Sequence, residues 1–365
     1  HDMPRIPLLG TQDESDPAVQ REHIELALEH GINVFIVDWY WYRNAPCLER
    51  QLNEGLLPAL EGTDMRFFLM WANHDASTLW DMHTDEREIL WSGQVHRRDL
   101  EPMFDRVIEK YMSHENYYCI DGAPVFSIFQ VPNFVEGLGG VEPAADAADW
   151  MRNRCVERGL PGLHLQAIGY WGGGGTEDGA RLEKTKAERA DSAIRFDSAT
   201  SYQYRMDSDP DGDYVAWAAK AIASWPIYEK RYGTYFPHAS IGWDNTARMP
   251  SEKTIVTGST PDAFEAHLWK ARRWVDARPD RTPRPSGRTP RRPRQRPRAR
   301  RSWRWTTTRR SCATSSASCA PPACRWCPAA TAWTRWRISP AASRWTRSSW
   351  TGRCPASVAA ACASR

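Results

Sequence analysis

The 365 residues are enough for one large barrel or two ordinary domains, and the formal net charge of +3 conceals a split along the chain. From Arg281 to Arg365 there are 20 Arg and no Lys, Asp or Glu, which leaves 28 basic against 45 acidic residues in the first 280. The same stretch lacks Leu, Phe, Tyr, Met, Asn and His, which excludes an ordinary globular core from it, and no apolar run in the chain approaches the length of a membrane span.

The chain opens at His1 with no initiator Met and no signal-type segment, so a bacterial cytoplasmic protein is expected, or a fragment whose N-terminal signal is missing. Cys47, Cys119 and Cys155 are too few and scattered for a disulfide framework, in keeping with a reducing compartment. Asp16-Pro17 starts a helix as cap and first-turn proline, Ile24, Ala27 and Leu28 form its buried stripe, and Gly31 ends it. Ile32–Val37 (INVFIV) then reads as a fully buried strand, too apolar to alternate. Further strand-like runs follow at Arg66–Met70, Pro124–Phe129, Leu163–Ile168, Ile194–Thr200 and Pro237–Ile241, with helical stretches at Leu100–Ser113, Ala144–Arg158 and Asp213–Arg231. Strands alternating with helices predict a parallel sheet covered by helices. Six such strands fit an α/β fold of the (β/α)8 TIM-barrel type, incomplete at both ends. A doubly wound sheet is the alternative, but no Gly-rich phosphate loop follows any strand. Gly172–Gly175 lacks the spacing and Lys of a nucleotide loop and reads as a flexible strand-end loop.

In a barrel the C-terminal strand ends build the site. Here they read Asp38-Trp39-Tyr40-Trp41-Tyr42, Trp71-Ala72-Asn73-His74-Asp75, Gln130, Tyr170-Trp171, Tyr202-Gln203-Tyr204 and Gly242-Trp243-Asp244-Asn245-Thr246-Ala247-Arg248. Sugars present apolar C–H faces rimmed by hydroxyls, so a site for them wants flat rings to stack on and carboxylates, amides or guanidinium groups at the edges. Asp38, Trp39, Tyr40, Trp41, Trp71, Asn73, His74, Tyr170, Tyr202, Tyr204, Trp243, Asp244, Asn245 and Arg248 are therefore candidates for binding a sugar. Asp38, Asp244 and His74 are the candidates for acid/base work. Each motif alone could equally plug the barrel mouth, and it is the polar partners that favour binding. The pattern calls for no cofactor and no metal. Asp207–Asp213 copies the opening of a calcium loop, but Ala218 stands where a bidentate Glu is required, so an acidic surface loop is expected there.

Three readings compete for residues 281–365. Arg291–Trp305 interleaves Arg with aromatics, as a nucleic-acid arm does. Cys312, Cys319, Cys324 and Cys327 include one C-x-x-C pair, but the tail has no His to complete a zinc site. The third, a shifted reading frame of a GC-rich gene, accounts best for the composition, and predicts a disordered basic tail rather than a domain.

Asp13–Leu56, Met70–His74 (MWANH), Gly242–Arg248 (GWDNTAR), the Thr260-Pro261 helix start and Phe264–His267 (FEAH) together resemble the glycoside hydrolase family 99-like domain, also called the WbsX-like glycosyltransferase family, over about residues 7–280. The resemblance implies a (β/α)8 barrel acting on oligo- or polysaccharide, often mannose- or rhamnose-containing, in bacterial surface-glycan pathways, as hydrolase or transferase. It also implies an Asn-Glu-Trp-x-Glu-Gly-like motif after the last strand, whose glutamates do the acid/base work. Where that segment should stand the chain has Thr282-Pro283-Arg284-Pro285-Ser286-Gly287. Glycosidic cleavage needs two carboxyl groups, one to protonate the leaving oxygen and one as base or nucleophile, so the chain is expected to be inactive. The alternatives are a non-catalytic glycan-binding barrel and a nucleic-acid-associated protein using the Arg tail.

Overall fold

A computed structural model describes residues 7–78, 88–169, 189–210, 212–245, 255–279, 334–337 and 346–349. The chain divides into two units, His1–Arg294 and Gln295–Arg365. In the first, Asp16 accepts a hydrogen bond from the Ala18 N–H at 2.8 Å and Pro17 fills the first turn of helix α1 (Pro17–Glu29). Gly31, at φ 80°, turns the chain out of the helix into strand β1 (Val34–Tyr42), whose end folds back on β2 (Ala45–Cys47). A π-helical turn, Gln51–Leu56, leads into the short α2 (Leu57–Ala59) and then β3 (Arg66–Trp71). An antiparallel pair follows, β4 (Ala76–Ser77) and β5 (Ile89–Trp91), then α3 (Arg97–Val107), β6 (Cys119–Ile120) and β7 (Ala123–Ile128). The remainder is α4 (Val131–Leu138), α5 (Val141–Glu157), β8 (His164–Ile168), β9 (Ser198–Thr200), β10 (Gly212–Asp213), α6 (Tyr214–Ile222), α7 (Trp225–Tyr232), β11 (Tyr235–Phe236), β12 (Val256–Thr257) and α8 (Pro261–Asp276).

The main sheet runs β1-β3-β7-β8-β9-β11, every pair parallel, with β2 and β6 attached as antiparallel additions. Spatial order follows chain order throughout, whereas a doubly wound sheet reverses direction at a switch point. The sheet also curls. Tyr202, just past β9, donates to the Asp38 carboxylate on β1 at 3.0 Å. Four strand spacings of about 4.8 Å would hold those strands roughly 19 Å apart in a flat sheet. The fold is thus mixed α/β with a curved, singly wound sheet, and among the described residues the sheet does not close into the expected (β/α)8 barrel.

Position in the sheet explains the burial. β3, β7 and β8 have neighbours on both sides and are buried along nearly their whole length, packing through Phe67, Leu69, Phe126 and Leu165 against Leu52, Leu100, Phe104, Ala147 and Met151. β1 corrects the expectation of a fully buried strand: Ile36 is 51% exposed and its neighbours are half-buried, because β1 is an edge of the parallel sheet. Boundaries shift for local reasons. Ile194 is not in the strand beginning at Ser198, since Arg195 takes a left-handed turn at φ 59°. The helix expected over Asp213–Arg231 breaks after Ile222 into α6 and α7, where Pro226 has no N–H to continue the ladder. The strand expected at Pro237–Ile241 is Tyr235–Phe236 instead, ended by the same property of Pro237.

In the second unit, β13 (Thr334–Arg337) and β14 (Thr346–Ser349) pair antiparallel, Thr334 opposite Ser349. Gly172–Gly175 and the four tail cysteines lie outside the described residues.

Candidate functional site

Side chains alternate along β1, and the alternation decides what reaches the concave side. Trp39 and Trp41 stack on each other at 5.7 Å within the core beneath the helices. Asp38, Tyr40 and Tyr42 take the other face. There Tyr40, Phe129 and Tyr202 pack on a small apolar floor of Met70, Ala72 and Ile168. Each residue lies at or just beyond a C-terminal strand end, so parallel strands deliver them to one mouth.

Asp38 and His74 are the polar groups of this mouth. Burial pushes the Asp38 carboxyl above the ordinary carboxylate range, partly offset by the hydrogen bond from Tyr202 and the nearby His74. His74 sits edge-on to Tyr40 at 5.9 Å and to Phe129 at 5.8 Å. Its Nδ1 donates to the Asp75 carbonyl oxygen at 3.0 Å, which makes Nε2 the acceptor of the neutral ring. Tyr42 donates its hydroxyl to the His74 carbonyl at 2.9 Å, and burial pushes its own pKa up to about 12. An acceptor carboxylate, a ring nitrogen and several aromatic faces around one concavity can hold a polyhydroxylated ring by its edge and its face together.

The structure separates the other sequence candidates from this group. Trp39 is 1% exposed, and Trp41 and Trp71 are buried too, on the helix side of the sheet, Trp71 edge-on to Phe134 of α4. They present no face to a ligand. Asn73, at 1% exposure, is a clamp: its Oδ1 accepts from the Gln130 N–H at 2.7 Å and its Nδ2 donates to the Gln130 carbonyl at 2.8 Å. Tyr204 is buried in a second cluster with Tyr214, Trp217 and Val256, against which Trp243 packs, the Arg205 guanidinium lying 5.7 Å from that ring. Asp244 pairs through its backbone with Ile255, and Asn245 is buried beside it. Tyr170 and Arg248 lie outside the described residues. Among the described residues no three His, Cys, Asp or Glu side chains gather as a metal site, and no helix is long and apolar enough to cross a membrane.

Three features had no signal in the sequence. Phe129 joins the mouth although it falls inside a strand-like run, before the strand-end Gln130. Glu49 collects donors from Trp39, Asn53, Arg106 and Tyr111 on the helix side. Asp207, expected in a surface loop, is half-buried and accepts from the Tyr228 hydroxyl, while its companion Asp213 caps α6 through the N–H groups of Val215 and Ala216. Burial pushes the Asp207 pKa to about 6, against the pull of hydrogen bonds from Tyr228, Ser201 and Ser224. A carboxyl with a raised folded-state pKa favours folding in its protonated form. Its contribution is complete below about 3.8 and fades as pH rises through about 6. Asp207→Asn is therefore expected to gain stability relative to the parent chain between pH 4 and 7, measured by urea unfolding. Parallel curves for the two proteins would contradict this.

A family model described as Glycosyltransferase WbsX matches residues 1–284. Two curated relatives, each an uncharacterized protein WxcX from a strain of Xanthomonas campestris pv. campestris, are 27% identical over 282 residues, aligning 74% of this chain with 37% of their own length. The chain thus spans well under half the length of the curated relatives it matches. Among solved structures, a glycoside hydrolase-like protein is similar at 16% identity and TM-score 0.48, over 74% of this chain and 76% of that one. The GH99 endo-alpha-mannosidase from Bacteroides thetaiotaomicron is similar at 12% identity and TM-score 0.44, over 73% of this chain and 66% of that one.

Proposed function

This chain belongs to the glycosyltransferase WbsX family, and from that premise we propose that it handles a bacterial surface polysaccharide, mannose- or rhamnose-containing, in the cytoplasm. The observation that carries this reading is the 3.0 Å contact between Tyr202 and Asp38, which sets a carboxylate among Tyr40, His74 and Phe129. Asp38 accepts from adjacent sugar hydroxyls, His74 addresses a third through Nε2, and Tyr40 and Tyr202 offer ring faces to the C–H side. The curl of the sheet supports a barrel of the (β/α)8 type, of which the described residues carry six parallel strands. Residues 1–280 are the barrel and residues 281–365 take no part in it.

The chain binds sugar without cleaving or transferring it. Its 365 residues hold no Asn-Glu-Trp-x-Glu segment to supply an acid/base pair of glutamates. Resequencing the DNA across the codons for Ala277–Arg292 tests the shifted-frame origin of this absence. Titration calorimetry with manno- and rhamno-oligosaccharides tests the binding. Asp38→Asn, which removes a charge but keeps the shape, is expected to weaken affinity at least tenfold, about 1.4 kcal/mol. Unchanged affinity would remove Asp38 from the site, and release of reducing sugar by the purified protein would overturn the non-catalytic reading.

A further inference from the structure

Beyond the mouth, the aromatic rings continue outward in one unbroken series. Tyr202 meets Phe129 at 5.1 Å, Phe129 meets His74 at 5.8 Å, and His74 meets Tyr40 at 5.9 Å. Tyr40 then stacks on Tyr42 at 6.2 Å, and Tyr42 meets Trp91 at 5.8 Å. The inner end is the Asp38 pocket. The outer end is open: Trp91 is 41% exposed, and Ile89 and Leu90 beside it are exposed too. A contiguous exposed apolar patch of this kind commonly marks a contact surface.

Trp91 is also held in place. It pairs across the antiparallel ladder with Ala76, and two residues later the Gly93 N–H donates to the Asp75 carboxylate at 2.7 Å. A Cβ at Gly93 would lie 2.3 Å from the Asn73 carbonyl oxygen, so only glycine lets this strand approach the β3 end so closely. The outer ring is thereby fixed relative to the inner ones, which lowers the ordering cost of using it.

We propose that Trp91 is a distal sugar-binding platform, and that the molecule recognises an extended glycan chain running from the Asp38 pocket past Tyr40 to Trp91. The proposal rests on the glycan-binding reading of the Asp38 pocket and adds the length of the ligand to it. A site confined to the pocket would accept a terminal sugar alone. Tyr42 is itself buried, at 7% exposure, and links Tyr40 to the open Trp91 ring. That exposed indole beyond the pocket gives a later sugar unit of one chain a second apolar face, which selects polymers over monosaccharides.

The test uses the full chain with manno- and rhamno-oligosaccharides graded from monosaccharide to pentasaccharide, with affinity followed by calorimetry. Affinity of the parent protein is expected to rise with chain length. Trp91→Ala should leave monosaccharide affinity unchanged and cut pentasaccharide affinity about tenfold, and Trp91→Phe should restore part of that loss. Because Trp91 is exposed, both variants should fold, which circular dichroism checks. Parent binding that does not grow with length, or a Trp91→Ala loss equal at every length, would overturn the proposal and leave the pocket standing. No binding of any sugar by the parent would overturn both. A variant with unchanged sugar affinity but altered self-association would assign the patch to a protein interface and reject the platform.

Discussion

Glu49→Ala is expected to cost about 2–3 kcal/mol of folding stability, because it leaves a buried indole N–H and a partly buried guanidinium without their acceptor. The Glu49 side chain is one-tenth exposed and accepts from the Trp39 indole N–H at 2.9 Å, the Tyr111 hydroxyl at 2.7 Å, Asn53 at 3.1 Å and the Arg106 guanidinium. Alanine would take the carboxylate from the partly exposed Arg106 guanidinium and leave the Trp39 N–H inside the core with nothing to donate to, while Tyr111 retains an acceptor in Asn53. Burial opposes the Glu49 charge, yet the hydrogen bonds from Arg106, Trp39, Tyr111 and Asn53 outweigh it and hold the pKa near 2. A depressed folded-state pKa contributes stability that is complete above the ordinary value of 4.5 and is lost as pH falls toward 2. Urea unfolding should therefore show the difference between parent and Glu49→Ala shrinking between pH 5 and pH 2. Glu49→Gln, which keeps the shape, should cost less and lack that slope. A variant within about 0.5 kcal/mol of the parent at pH 7 would reduce the cluster to a surface contact.

Asn73→Ala is expected to cost about 2–4 kcal/mol and to abolish sugar binding along with it. Its two hydrogen bonds to the Gln130 backbone tie the end of β3 to the start of α4, and its own carbonyl accepts from Asn133 at 2.9 Å. Alanine leaves the Gln130 N–H without its acceptor and a small void, while the Gln130 carbonyl keeps the Phe134 N–H at 3.1 Å. His74 and Phe129 flank the clamp, so the mouth should lose its geometry together with the stability. Thermal unfolding and oligosaccharide titration on the same preparation separate the two roles. A lost affinity at unchanged stability would instead make Asn73 a direct sugar contact, as its sequence position alone suggests.

Much of the local order was legible because its causes are local. Asp16-Pro17 caps α1 by short-range hydrogen bonding, and the alternation of apolar runs with amphipathic stretches marks a parallel sheet. Five of the six strand-like runs coincide with or overlap strands of that sheet, and the sixth is displaced by two residues. The misses came where position in the sheet overrides composition: Ile32–Val37 is as apolar as an interior strand but lies at an edge.

The sequence by itself determined the family motifs, the order of strands and helices, and the gathering of aromatic and polar residues just after strands. It did not determine which of them face a ligand. In Asp38-Trp39-Tyr40-Trp41-Tyr42 either parity is chemically suitable, and a period of two carries no label for inside and outside. The curl of the sheet chose Asp38, Tyr40 and Tyr42 for the mouth and sent both tryptophans to the core. The same curl supplied Asp38 with a partner 164 residues away and placed Trp91 at the outer end of the ring series. Contacts of that span depend on how strands pack in three dimensions, and no local pattern encodes them.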